Sequence, residues 1–273
     1  MLLLLMEFAP YTDTTLYPIF DINKVPGLSA VCLGFVVSDS QSNASFGGYY
    51  PCSGDYYSDI IRRAQLDGKK IIVSFGGAAG QELAITNPNP HKLFEKYRDV
   101  IEKYDLSSID FDIEGSSVTN EKANKTRQGA ILELQRIYPN LEISLTVAVM
   151  PTGVDKNVLK LIEMTPCDLV NLMVMDFGSE HNKMSAAAIN AAKAVRKQTG
   201  KNIGLTPMIG VNDTGEIFNQ DSARRVKAFA DETEWVKRLS FWSLNRDTGK
   251  DGKLDVSSKI KQEPWEFCKI FNK

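Results

Sequence analysis

Histidine is almost missing from this chain. His91 and His181 are the only two in 273 residues, which argues against a His-based catalytic triad and against a histidine-rich zinc site. Cysteine is sparse too. Cys32, Cys52, Cys167 and Cys268 include no C-x-x-C pair, which argues against a zinc ribbon. Cys32 and Cys52 could join as a disulfide in an exported protein, and buried free thiols fit the sequence as well. No apolar run reaches transmembrane length, so no membrane helix is expected. The opening "MLLLLMEFAP" lacks a basic flank and a small-residue cleavage site, and reads as a first buried strand rather than a signal peptide. An excess of one charge is also lacking: 32 basic residues face 34 acidic ones, scattered along the chain, for a net charge of −2. That disfavours nucleic acid or an anionic membrane as the main partner.

What is present is a repeated alternation. With 43% hydrophobic and 24% charged residues the composition is that of an ordinary soluble globular chain. Eight short apolar, β-rich runs recur: 2–11, 28–38, 69–77, 106–115, 141–151, 168–178, 202–213 and 238–247. Most are continuous rather than alternating, as expected for parallel strands covered on both faces. Helical patterns lie between most of them, at 56–68, 89–104, 120–139, 155–164, 185–200 and 220–232. Gly68 and Pro139 supply stops, and Ser185 and Asp221 stand near the expected N-caps. Eight βα units with a period of about 34 residues predict a (β/α)₈ barrel, one domain over residues 1–273. A doubly wound sheet is the alternative. It normally shows a glycine-rich loop after the first strand, and that strand here ends in "FAPYTDTT".

One run breaks the apolar rule. "SSIDFDIEG" (107–115) puts Asp110, Asp112 and Glu114 at every second position, between Ile109, Phe111 and Ile113. Side chains two apart share a strand face, at intervals of roughly 6–7 Å. In a barrel the last of them, Glu114, meets the substrate at the C-terminal mouth. Crowded carboxylates in a low-dielectric interior cannot all ionise, so at least one keeps a proton near neutral pH. Spacing alone leaves a solvated acidic loop and a magnesium cluster open. The apolar flanks disfavour the first, and the extended D-x-D-x-E spacing disfavours chelation of one ion. General acid catalysis fits best, with Glu114 as the acid and a charged Asp beneath it.

These residues also carry a resemblance. "SSIDFDIE" resembles the D-x-x-D-x-D-x-E signature of glycoside hydrolase family 18, the chitinase family. "SFGG" (74–77) is similar to the family's S-x-G-G, and "MVMD" (173–176) to its M-x-[YM]-D. Trp242 in "FWSLNRD" matches the tryptophan floor of the sugar site, and "MIGVND" and "SFWSLNRD" look most like bacterial-type chitinases. The motifs follow in order along the whole chain. The resemblance implies hydrolysis of β-1,4 bonds between N-acetylglucosamine units of chitin or chitooligosaccharides, with retention and without metal or cofactor. It implies that Glu114 protonates the glycosidic oxygen while the substrate's own acetamide oxygen attacks the anomeric carbon. Asp112 would hold the acetamide N–H, and Asp110 would share a proton with Asp112. Two departures stand out: Ser107 replaces the first aspartate of the signature, and Met175 replaces the tyrosine that fixes the acetamide carbonyl in much of the family.

Around the acids, Trp242, Asp176, Met175, Met173, Tyr11, Phe8, Gly76, Met208 and Asn212 are the candidate substrate contacts, with Asp213 close to the last of them. Ser107 is expected deepest in its strand, in a packing or hydrogen-bond role. Trp235 and Trp265 are expected to pack helices against the barrel, and His91 and His181 to lie on the surface, the latter near the cleft. "DTGKDGKLDVSS" (247–258) resembles a calcium loop only faintly, with Gly249 at a ligand position and Ser258 in place of the closing Glu, and reads as a surface loop. The expected protein is a monomer with an open groove and endo action, exported because chitin is extracellular. Two other readings share these residues: an endo-β-N-acetylglucosaminidase acting on glycoprotein glycans, and a non-catalytic chitin-binding lectin, against which the retained Glu114 argues.

Overall fold

The computed structural model describes residues 6–178 and 183–273. His181 and the first residues of the predicted opening strand lie outside them. Among these described residues there are thirteen strands and eight α-helices. The strands are β1 (Glu7–Phe8), β2 (Tyr11–Asp13), β3 (Ala30–Ser38), β4 (Ala44–Phe46), β5 (Tyr50–Pro51), β6 (Lys70–Gly76), β7 (Ser108–Asp112), β8 (Glu142–Ala148), β9 (Leu169–Met173), β10 (Asn202–Thr206), β11 (Gly210–Val211), β12 (Ile217–Phe218) and β13 (Val236–Leu239). The helices are α1 (Ser58–Leu66), α2 (Leu83–Thr86), α3 (Pro90–Lys103), α4 (Glu121–Ile137), α5 (Lys156–Met164), α6 (Met184–Thr199), α7 (Gln220–Asp231) and α8 (Glu266–Phe271).

The predicted barrel is the observed one. Parallel pairing runs from β2 through β3, β6, β7, β8, β9, β10 and β13 to β1. Because β1 and β2 are consecutive pieces of one strand, this order closes the sheet on itself. Pro10 explains the break between them, since it offers no N–H to a ladder. Its neighbours keep the seam shut: Ala9 and Tyr11 donate backbone N–H groups to Leu239 and Phe241, at 2.9 and 3.0 Å.

Most expected strands are trimmed at their ends. The seventh run stops at Thr206, because Pro207 cannot continue the ladder, and residues 210–218 fold back as the hairpin β11–β12. Strands β4 and β5, which extend β3 as an antiparallel hairpin, and the helices α2 and α8 fall outside the predicted elements. The first unit carries only the 3₁₀ turn Ile22–Lys24 where the others carry a helix.

Side-chain caps start α3, α4, α5 and α7. Asn89 accepts from the N–H of Lys92 with Pro90 at the first helical position, Asn120 accepts from Ala123, and Asp155 from Asn157 and Val158. Two expected caps are corrected. Asn219, not Asp221, caps α7, with its side chain accepting from Ser222 N–H. α6 opens after Lys183 without a side-chain cap, and Ser185 lies inside it.

The strand alternation divides the core in two. Outward-facing Ile109, Phe111, Leu145 and Leu172 pack under the helices with Tyr97, Leu134 and Val195 in one apolar shell. Each such Phe or Leu contributes about 1.5–3 kcal/mol when fully buried. Inward-facing positions are largely polar: Ser74, Asp110, Asp112, Ser144, Thr146, Asn171 and Thr206 are all buried. Trp235 packs between α6 and α7, edge-on to Phe229 and under Arg196, and Trp265 meets Phe20, which itself packs on the core. His91 lies at the surface beside Glu133.

All four cysteines are free thiols, the second of the two readings for Cys32 and Cys52. Two other expectations change. Ser107 is exposed below β7 and takes part only through its carbonyl, which accepts from Glu142 N–H. The loop after residue 247 is not wholly superficial. Asp247 is fully buried and accepts the N–H groups of Phe267 and Cys268, which anchors α8, and burial pushes its carboxyl up to about 6.

A buried ion pair ties α4 to the cap of α2. Arg127 donates to both oxygens of Glu82 at 2.6 Å and to Asn124 Oδ1 at 3.0 Å. Arg127→Met strands Glu82 in the shell and is expected to cost about 3–5 kcal/mol in urea unfolding. Glu82→Leu combined with Arg127→Met is expected to recover most of that loss, because the orphaned charge is gone. A single mutant within error of wild type would refute the account.

Candidate active site

At the C-terminal mouth of the barrel a cavity of about 400 Å³ is lined by residues from strand ends and the loops beyond them. Its wall includes Tyr11, Phe35, Asp112, Glu114, Thr146, Thr206, Asp213 and Trp242, together with Met150, Met173, Met175, Asp176 and Met208. Eight of the predicted contacts and acids therefore meet in one place: Asp112 and Glu114 with Tyr11, Met173, Met175, Asp176, Met208 and Trp242.

The acids are graded in depth. Glu114, just past β7, is half-buried, Asp112 is 3% exposed and Asp110 is 0% exposed. Asp110 lies beneath the cavity and is saturated with hydrogen bonds. Its Oδ2 accepts from Ser74 Oγ at 2.7 Å and Tyr11 OH at 2.9 Å. Its Oδ1 accepts from Ser144 Oγ at 2.6 Å and Thr146 Oγ1 at 2.8 Å. Asp112 has no such cradle. One carboxyl oxygen, Oδ1, has no partner, and the side chain hydrogen-bonds instead to Glu114. The side-chain partner of Asp112 is thus Glu114 rather than Asp110.

Burial drives the titration of this pair. Desolvation, then the charges of Glu114 and Asp110, hold the Asp112 carboxyl well above the usual carboxylate range. Desolvation also raises Glu114, with help from the charge of Asp176, while its hydrogen bond to Asp112 works the other way. The two form one coupled acid that keeps a proton where a lone surface carboxylate would lose it. Asp176 is itself raised, chiefly by burial. Its backbone has φ 54°, in the left-handed region, and is pinned where its N–H meets Asn212 Oδ1 at 3.2 Å.

The aromatic floor is a pair. The indole of Trp242 stacks on Phe35, with centroids 5.6 Å apart and planes 17° from parallel, and Tyr11 tilts against both. Peptide bonds Gly34–Phe35 and Trp242–Ser243, at this floor, are cis. Tyr11 presents its ring to the cavity and spends its hydroxyl on Asp110.

Three predicted contacts are corrected. Phe8 belongs to the outer shell, tilted against Phe241 and stacked on Phe271, because it faces the helices where Ala9 faces the barrel interior. Asn212 is 1% exposed and does not line the cavity. It braces the loop instead, accepting from Asp176 and donating to Met208 and Gly210 carbonyls. Gly76 also stands outside the lining. A Cβ there would lie 2.0 Å from the Asp112 carbonyl oxygen, so glycine lets β6 approach β7.

Sequence reasoning missed Phe35, Thr146, Thr206 and Met150. Phe35 and Met150 ended predicted runs at the mouth, where barrel sites gather, and that position was the available signal. Nothing in the sequence marked the two threonines. Among the described residues no group of three potential metal ligands is found.

The family model for glycosyl hydrolases family 18 matches residues 7–264. The chain belongs to that family. It is 29% identical to endochitinase 11 of Metarhizium anisopliae over 88% of this chain and 52% of the relative. It is 28% identical to a probable bifunctional chitinase/lysozyme of Escherichia coli K12 over 97% of this chain and 34% of the relative. The chain thus spans about half the first relative and a third of the second. Among solved structures it superposes on the catalytic domain of a hyperthermophilic chitinase from Pyrococcus furiosus with a TM-score of 0.86, at 29% identity, covering 97% of this chain and 93% of the other.

The charge of Asp176 generates one prediction. Asp176→Asn removes a like charge, so the titration midpoint of Glu114, followed by carbon-13 NMR of labelled glutamate, is expected to move to lower pH. A midpoint that stays or rises would contradict the field described.

Proposed function

We propose that this chain is a chitinase that cleaves β-1,4 bonds between N-acetylglucosamine units by substrate-assisted, retaining hydrolysis. The observation that carries this reading is the Asp112–Glu114 hydrogen-bonded pair facing a cavity floored by Trp242. The names of the relatives, which are chitinases, support it. We further read residues 1–273 as one catalytic unit, monomeric and exported. Among the described residues no helix is long and apolar enough to cross a membrane.

In this reading a pyranose lies on Trp242, whose flat face suits the apolar face of a sugar ring. The sugar displaces water from Glu114 and raises its proton affinity further. Glu114 gives its proton to the glycosidic oxygen as that bond breaks. Asp112 is buried against the acid and so is not a ready nucleophile. The acetamide oxygen of the substrate therefore attacks the anomeric carbon, and the resulting oxazolinium charge is balanced by Asp112. Water then adds to that carbon and returns its proton to Glu114. Met173, Met175 and Met208 form a soft apolar wall for the acetyl methyl. Between β10 and β13 the chain adds only the β11–β12 hairpin and α7, which supports an open groove and endo action.

Glu114→Gln is expected to lower the rate on a chromogenic chitobioside by about 10²–10⁴-fold while calorimetry still detects chitooligosaccharide binding. An active mutant would overturn the assignment of the acid. A wild-type chain that binds without cleaving would leave a lectin, and glycan release from a high-mannose glycoprotein would favour an endo-β-N-acetylglucosaminidase.

A further inference from the structure

The deepest carboxylate of the site is held from below. Asp110 is fully buried, and the four hydroxyls around it supply hydrogen bonds but no charge. A carboxylate ionised at that depth requires a cation nearby. Its charge is felt by Tyr11 on β2, Cys32 on β3, Asp112 on its own strand, Cys167 ahead of β9 and Arg238 on β13. Burial pushes the Tyr11 phenol and the Cys32 thiol well up, and Cys167 to about 11, so these three stay neutral. Asp112 has the wrong sign to compensate it. Arg238 is the cation of this set.

Arg238 rises from the opposite end of the barrel and is 5% exposed. Its Nη1 donates to Ser144 Oγ at 2.9 Å, and its Nε donates to Glu7 Oε2 at 2.8 Å. Lys70 completes the floor, 2.9 Å from Glu7 Oε1 and paired also with Glu142. A guanidinium can only donate. The Ser144 oxygen must therefore accept from Arg238, and its single hydrogen is left for Asp110 Oδ1, to which it points at 2.6 Å.

We propose that Arg238 is a positioning residue which, through Ser144, holds Asp110 as an ionised carboxylate from beneath the cleft. The charge of Asp110 in turn opposes ionisation of Asp112 and so helps keep a proton in the Asp112–Glu114 pair. Only this catalytic consequence rests on the chitinase reading. The charge state of Asp110 does not.

The test uses the full chain labelled with carbon-13 at aspartate carboxyls, with the Asp110 resonance assigned by its loss in Asp110→Asn. In Arg238→Met the Asp110 midpoint is expected to rise by at least about one pH unit. Arg238→Lys is expected to restore part of the shift. Ser144→Ala, which leaves the Arg238–Glu7–Lys70 pairs intact, is expected to move the midpoint the same way, and it decides the matter if Arg238→Met does not fold. An Asp110 midpoint unmoved in Ser144→Ala and in any folded Arg238→Met overturns the proposal. On chitooligosaccharide, Arg238→Met is expected to lower kcat with KM within about twofold, because Asp110 touches no sugar. In an Asp110→Asn background it is expected to leave the pH profile where it was. A profile shifted as far without Asp110 as with it would overturn the route. Absence of hydrolysis by wild type would sink the chitinase reading and leave the carboxyl titration to judge Arg238.

Discussion

Crowding of like charge inside a low-dielectric barrel is the constraint from which the site follows. Asp110, Asp112 and Glu114 project from one face of β7 into an interior that water does not fill. Three carboxylates in that space cannot ionise together. The structure resolves the conflict by treating each one differently. Asp110 receives four hydroxyl donors, whereas Asp112 is denied such a cradle and turns to Glu114. The same backbone spacing thus yields a fully cradled carboxylate below and a hydrogen-bonded carboxyl pair, both raised by burial, above.

The polar interior is the support for that division. Thr146 donates to Asp110 and accepts from Asn171, whose other amide hydrogen reaches the Tyr11 oxygen and whose carbonyl takes the hydroxyl of Thr206. Gly204 leaves room for this, since a Cβ there would press to 2.6 Å of Asn171 Oδ1. The apolar shell outside the strands supplies stability, and the hydroxyls and amides inside supply order. Neither could be exchanged for the other without stranding a buried charge or opening a void.

Much of this was legible in the chain. The barrel followed from eight apolar runs with helices between most of them, and the acid rail from three carboxylates at period two. Local pattern failed where tertiary geometry decides. Phe8 and Asn212 stand at strand ends, as true contacts do, yet the pleat turns Phe8 toward the helices and the β11–β12 hairpin folds Asn212 under Asp176. The hairpin was hidden in a run whose composition reads as one strand, interrupted only by Pro207. The partner of Asp112 was not readable either. Whether its carboxyl faces Asp110 or Glu114 depends on which hydroxyls neighbouring strands bring into register, and Ser74, Asp110 and Ser144 align only once β6, β7 and β8 pair.

The absence of a side chain at residue 76 has a wider meaning. With no Cβ between them, the third and fourth barrel staves meet main chain to main chain, and the N–H of Gly77 caps the Asp112 carbonyl at 2.9 Å. The reactive edge is therefore registered by peptide geometry, which rotamer hopping cannot loosen. Any opening of the cleft must then reside in the outlying loops, while the carboxylates ride on a stave as rigid as its neighbour.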